Sequence, residues 1–140
     1  MALVAKLSDT SLIAEQRQSL ARAFQERFDS KKKIERLDAQ INTLLGSRTP
    51  TPVGIGYCHE SLKTTSEANC APAHASVIIG RRFIPETGNC EFLVRDSYGP
   101  NCNDTAGKPK YAWPCEKGNV WIPSDKLLRS AASVTWIPNR

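Results

Sequence analysis

At 140 residues the chain is long enough for one domain with a hydrophobic core, since typical domains hold ~100–200. A content of 40% apolar and 24% charged residues excludes disorder as the default state. The net charge of +5 is modest, and the basic runs Lys31-Lys32-Lys33 and Arg81-Arg82 carry no interleaved aromatics, which argues against a nucleic-acid partner. No apolar stretch is long enough to span a bilayer, so no membrane role is expected.

Met1–Leu7 is too short and too polar afterwards for a signal-peptide core. Residues 11–28 predict a helix, with Leu12, Ile13, Leu20, Phe24 and Phe28 on one face. Asp29-Ser30 is expected to break it, with Ser30 capping a second helix over residues 31–45. That helix carries a stripe of Ile34, Leu37, Ile41, Leu44 and Leu45, and Gly46 stops it as a C′ glycine. Residues 47–52 read as a short stiff linker. The expected organisation is a helical segment over 1–46 and a β unit over 51–140.

After Pro52 the period changes to that of strands. Val53–Tyr57 is a strand with glycines on one side, where another backbone or a substrate comes close. Residues 59–70 read as polar loop. Residues 75–83 and 90–95 form a hairpin about the turn Pro85–Asn89. Pro100–Pro114 is a loop that a Cys102–Cys115 bond would tie. Gly118–Pro123 is a strand, residues 124–128 a short capped helix, and Ser133–Ile137 a last strand. Two helices followed by about five strands make an α+β fold.

The five cysteines, Cys58, Cys70, Cys90, Cys102 and Cys115, cluster near turns and strand ends in the second half. That clustering points to an oxidising compartment, secreted or otherwise, and a disulfide-tied surface with one thiol left over. Cys58 reads either as a disulfide partner of Cys70 or of another lobe, or as a nucleophile. No cofactor is called for. A metal site from Cys58, Cys70, His59 and His74 is set aside, because Cys-x₁₁-Cys is not a compact ligand pair. Trp113, Trp121 and Trp136 read as core or loop-packing residues, and Arg95 as a surface residue on the face opposite Asp96.

The candidate catalytic residues are His74 and Asp96. His74 opens an apolar strand in Pro72-Ala73-His74-Ala75-Ser76-Val77-Ile78-Ile79-Gly80, and Asp96 closes the next in Glu91-Phe92-Leu93-Val94-Arg95-Asp96-Ser97-Tyr98-Gly99. Antiparallel pairing brings both to one end of the hairpin, as a base and the acceptor that orients it. The alternatives are a structural histidine and a turn aspartate.

These blocks resemble the C-terminal half of papain-like cysteine peptidases, over roughly residues 50–137. Thr51-Pro52-Val53-Gly54-Ile55-Gly56-Tyr57 is similar to the family's Pro-Val strand beside the substrate groove. Pro72-Ala73-His74-Ala75 matches the block of the catalytic histidine. Asp96-Ser97-Tyr98-Gly99 stands where the family has Asn-Ser-Trp-Gly, and Gly118-Asn119-Val120-Trp121-Ile122 resembles its closing strand. Asp96 thus replaces the orienting Asn, and Tyr98 the Trp that shields the His–Asn bond. The family's Gln and Cys-Trp blocks, which carry the oxyanion hole and nucleophile, have no counterpart in residues 1–50.

The resemblance implies a lobe that supplies the histidine and its acceptor for peptide-bond hydrolysis, with the nucleophile elsewhere. The alternatives are a catalytically inactive papain-like domain that binds peptides or proteins, and a small independent structural or interaction domain that shares only the hairpin. The implied partners are a peptide or protein substrate and either a nucleophile-bearing lobe or a second copy of the chain. The surface around Val53, Ile55, Tyr57 and His74 is then expected to be open and apolar, with two chains pairing through it rather than the helices covering it.

Overall fold

In the computed structural model, residues 13–47 and 50–136 are described here. Leu12, Arg48, Thr49, Ile137 and the Met1–Leu7 segment therefore lie outside the described residues. The chain divides into two compact units, residues 1–35 and 36–140.

One helix, α1, runs without interruption from Ala14 to Leu45, where two were expected. Asp29 and Ser30 each cost only a few tenths of a kcal/mol within a helix, far less than Gly or Pro. The Asp29 carboxylate accepts a bond from Gln25 Nε2 at 3.0 Å, one turn back, and so serves the helix it was expected to end. In the first unit the expected apolar stripe is not packed away: Ile13, Phe24 and Phe28 are exposed. In the second unit Leu37 and Ile41 are buried. Gly46 does end the helix, but not through a left-handed cap, since its φ is not positive. A Cβ there would lie 2.9 Å from the Asn42 carbonyl oxygen. The orphaned Leu44 carbonyl is met instead by the Thr51 N–H at 3.2 Å and by Ser47 Oγ at 3.0 Å.

The second unit is built on an antiparallel sheet of six strands: β1 (Val53–Tyr57), β2 (His74–Ile84), β3 (Asn89–Arg95), β4 (Cys115–Glu116), β5 (Asn119–Pro123) and β6 (Ser133–Thr135), in the order β4-β5-β3-β2-β1-β6. Two short helices, α2 (Glu60–Lys63) and α3 (Ser124–Arg129), pack together. The α+β class follows directly. Among the described residues no helix is long and apolar enough to cross a membrane.

Strand alternation builds the core. Val53, Ile55 and Tyr57 of β1, Ile78 of β2, Phe92 and Val94 of β3, and Val120 and Ile122 of β5 are buried on one face. Leu62, Leu127, Leu128 and Ala131 are buried with them. The expectation of an open apolar surface on β1 is therefore overturned, because Val53, Ile55 and Tyr57 lie inside the chain's own core. The large apolar residues left exposed on β2 are Val77, Ile79 and Phe83.

A bulge between Ile78 and Gly80 explains why the apolar run of β2 does not alternate. Before it, His74, Ser76 and Ile78 share the core face. After it the parity reverses, so that Arg82 stands on the opposite face. There it pairs with Glu91 at 2.7 Å and lies 4.1 Å above the Trp121 ring.

Two disulfides, Cys58–Cys70 and Cys102–Cys115, close the loops around the sheet, and Cys90 is free. They are compatible with an oxidising compartment. The β4–β5 hairpin turns through Lys117 and Gly118, both at positive φ (53° and 81°), as a two-residue type I′ turn requires. A Cβ on Gly118 would collide with the Gly99 carbonyl oxygen and lie 2.9 Å from Pro100 Cα. The backbone after Asp96 can lie against this turn only because residue 118 has no side chain.

Gly118→Ala is expected to destabilise the protein by about 1–3 kcal/mol, read by urea denaturation, through combined backbone strain and steric overlap. Non-reducing peptide mapping should recover Cys58 joined to Cys70 and Cys102 joined to Cys115. Replacing both Cys102 and Cys115 with Ser should cost about 3 kcal/mol, the chain-entropy value for a loop of this size.

Candidate functional site

Asp96 follows directly on β3, and His74 opens β2. Val77 pairs with Arg95 across the ladder, so the positions beyond them meet at the same sheet end. His74 and Ser76 share a face by the strand period, and Asp96 continues the face of Phe92 and Val94. The expected juxtaposition is present: His74 Nε2 lies 2.7 Å from Asp96 Oδ1. Arg95 is exposed on the other face, as expected.

Three further side chains meet the same carboxylate, none of which had been assigned to the site. His59 Nε2 lies 3.2 Å from Oδ2, Tyr111 donates its hydroxyl to Oδ2 at 2.9 Å, and Ser76 Oγ donates to Oδ1 at 3.2 Å. The Ser97 N–H completes the set at 2.9 Å from Oδ1. An ionised carboxylate only accepts, so both imidazoles donate Nε2–H to it. Tyr57 backs the arrangement by bonding Ser76 Oγ at 2.8 Å.

Each member has a local reason to be there. His59 begins the turn into α2 but makes no side-chain cap, which leaves its ring for Asp96. The turn is anchored by Ser130 Oγ, which accepts the Cys58 N–H at 3.2 Å and bonds Ser61 Oγ at 3.0 Å. The Cys58–Cys70 bridge ties the residue next to His59 to the segment that leads into His74. Tyr111 sits in the loop closed by Cys102–Cys115. That loop is held by Ala112 N–H to the Leu62 carbonyl at 2.9 Å and by Trp113 Nε1 to the Ser61 carbonyl at 2.8 Å.

The two imidazoles lie with centroids 4.0 Å apart and their planes tilted by 36°. Tyr98 stacks against His74, with centroids 5.7 Å apart and planes 23° apart, and lies 5.3 Å from His59. It is itself largely exposed, so it lids the rings only in part. The imidazole side chains are 17% exposed and the Asp96 side chain 0%, so the rings open to solvent while the charge that orients them does not.

Burial of Asp96 favours its neutral form. The bonds from His74, His59, Tyr111 and the Ser97 N–H outweigh that and bring its pKa down from 3.8 to about 2. Burial and the adjoining carboxylate push the Tyr111 hydroxyl the other way, well above its ordinary range. Burial does the same to Tyr57, against the lowering effect of its bond to Ser76.

The thiols do not join this site. Cys58 and Cys70 are bonded to each other, which removes Cys58 as a nucleophile and both as metal ligands. Cys90 pairs with Phe83, nine residues along β2 from His74, or about 30 Å at ~3.3 Å per residue. Among the described residues no group bonds His74 Nδ1. The site therefore holds an imidazole bonded through Nε2 to a buried carboxylate, with Nδ1 unbonded among the described residues, and no thiol. No family model, curated protein or solved structure matches the chain.

The lowered pKa of Asp96 makes its contribution to stability fully present above pH 3.8, the unfolded value. It is lost as the pH falls through about 2. The difference amounts to about 2 kcal/mol. Urea unfolding between pH 4 and pH 2 should show the wild type losing that much more stability than Asp96→Asn.

Proposed function

We propose that the chain supplies the histidine-bearing half of a papain-like cysteine peptidase site. The observation that carries the reading is the 2.7 Å bond between His74 Nε2 and the buried Asp96 carboxylate, with His74 Nδ1 uncommitted among the described residues. The motif order and the antiparallel sheet on which His74 and Asp96 stand support the same assignment.

In this reading Asp96 fixes the tautomer and direction of the His74 ring. Nδ1 takes the proton from an incoming cysteine thiol, and the thiolate attacks the peptide carbonyl carbon. Nδ1–H then protonates the departing amine, and a water activated at the same nitrogen releases the acyl group and restores the thiol. His59 supports the couple by filling the second oxygen of Asp96, and Tyr98 lies over both rings. The thiol comes from another polypeptide segment, because four cysteines are in disulfides and Cys90 is remote. That same lack of a reachable thiol favours a second reading, an inactive papain-like domain that binds peptides or proteins.

The experiment is covalent labelling. The chain and whatever assembles with it in the cells that make it are treated with a peptidyl epoxide that alkylates catalytic thiolates. The expected result is a labelled cysteine outside residues 1–140, labelling that is lost in His74→Ala, and no peptide hydrolysis by the isolated chain. Failure to label any cysteine, with peptide binding retained, would establish the binding module instead. Hydrolysis by the isolated chain that survives His74→Ala would overturn both readings.

A further inference from the structure

His59, His74 and Asp96 come from three separate segments and present their ligand-capable atoms within 4.8 Å of one another. The sequence offered His59 and His74 as ligands only in company with Cys58 and Cys70. The fold takes those two thiols into a disulfide and puts a carboxylate in their place.

We propose that His59 Nε2, His74 Nε2 and one oxygen of Asp96 form a binding site for a single divalent transition-metal cation of the zinc type. Two imidazoles and one carboxylate are the protein ligands of an open zinc centre, which keeps a further position for water. The imidazole pair selects such a cation over Mg²⁺ and Ca²⁺, which take oxygen ligands.

The distances suit that assignment. Zinc bonds of about 2.0–2.2 Å to nitrogen and oxygen place the ligand atoms of a tetrahedral centre roughly 3.3 Å apart. At present His74 Nε2 lies 2.7 Å from Oδ1 and His59 Nε2 3.2 Å from Oδ2, two different oxygens, and the three ligand-capable atoms lie within 4.8 Å of one another. Coordination therefore requires each ring to shift its proton from Nε2 to Nδ1 by exchange with water and to turn the freed Nε2 lone pair from Asp96 to the cation. Each neutral imidazole carries its one proton on Nδ1 and gives the Nε2 lone pair to the cation, and the carboxylate supplies the negative charge.

Surrounding groups hold the ligands in place before any cation arrives. Ser76 Oγ and the Ser97 N–H hold Oδ1, and the Tyr111 hydroxyl holds Oδ2, so the carboxylate is fixed from behind. The Cys58–Cys70 bridge keeps the His59 turn close to His74. The imidazoles are each 17% exposed, which leaves a path from solvent to the nitrogens. The proposal goes beyond the peptidase reading and does not need it, since binding is measured without turnover.

The test is titration of the full chain with ZnCl₂ alone, followed by calorimetry, with MgCl₂ as control. It is read in parallel by NMR of the two histidines, the only ones in the chain. The expected result is one zinc ion per chain, perturbation of both imidazole spectra by Zn²⁺ but not Mg²⁺, and loss of the saturable site in His59→Gln. Tyr111→Phe should weaken binding by about tenfold, the usual scale for a group that holds a ligand in place. Substitution of Co²⁺ should give visible absorption of a four- or five-coordinate centre. No saturable zinc binding would overturn the proposal. So would zinc binding that leaves both histidine spectra unmoved, or that disappears in Cys90→Ser and not in His59→Gln. The wild-type spectra decide the matter even where a variant fails to fold.

Discussion

A carboxylate with no exposed surface is the constraint around which this end of the sheet is built. Removing an ionised carboxylate from water costs several kcal/mol unless its lone pairs are met. Five donors meet those of Asp96, from His59, His74, Ser76, Ser97 and Tyr111. They come from the start of α2, from β2, from the backbone after β3 and from the loop before β4. One charge thus ties together segments that share no hydrophobic pattern. Both disulfides close loops that carry or adjoin a donor. The covalent links and the ionic centre therefore restrain the same region, and each reduces the entropy that the other must overcome.

The part of the fold legible in the sequence is the part governed by strand alternation and turn chemistry. β1 keeps its expected bounds, the hairpin about Pro85–Asn89 forms, and His74 meets Asp96, because a period of two and a turn fix which residues face each other. Ser76 was within reach of the same argument, standing two residues from His74 on the same face. Tyr111 was not: it lies in an irregular loop whose course is set by a disulfide and by bonds to Leu62 and Ser61, neither of which leaves a periodic trace. His59 was visible as a histidine next to a cysteine. Its role depends on the Cys58–Cys70 pairing, and cysteine spacing alone does not fix a pairing.

The departures from expectation have separate physical causes. Asp29-Ser30 is a plausible stop only if the Asp29 side chain prefers a cap, and Gln25 gives it a helical partner instead. The strand around Ile55 was expected to be open because the resemblance places a second lobe beside it. Here the strand is buried by this chain's own packing, with every odd-numbered residue from Val53 to Tyr57 inside. The apolar run Val77–Gly80 gave no hint of the bulge, since a reversal of parity among Val, Ile and Gly leaves hydropathy unchanged.

The two chemistries assigned to this site use different nitrogens of one ring. Proton transfer needs Nδ1 free and Nε2 committed to Asp96, because the carboxylate holds the tautomer that leaves the lone pair on Nδ1. A cation takes the Nε2 lone pair and therefore drives the proton onto Nδ1, the tautomer that cannot accept a proton from a thiol. The proposed base and the proposed metal centre thus draw on the same His74–Asp96 pair, and one excludes the other at any instant. His59 is the residue that separates them. A base and its acceptor need one imidazole, and the second has no part in the proton transfer itself. A cation held by nitrogen and carboxylate needs both. The second imidazole at 3.2 Å from Asp96 is thus the feature that a histidine–aspartate couple alone does not require.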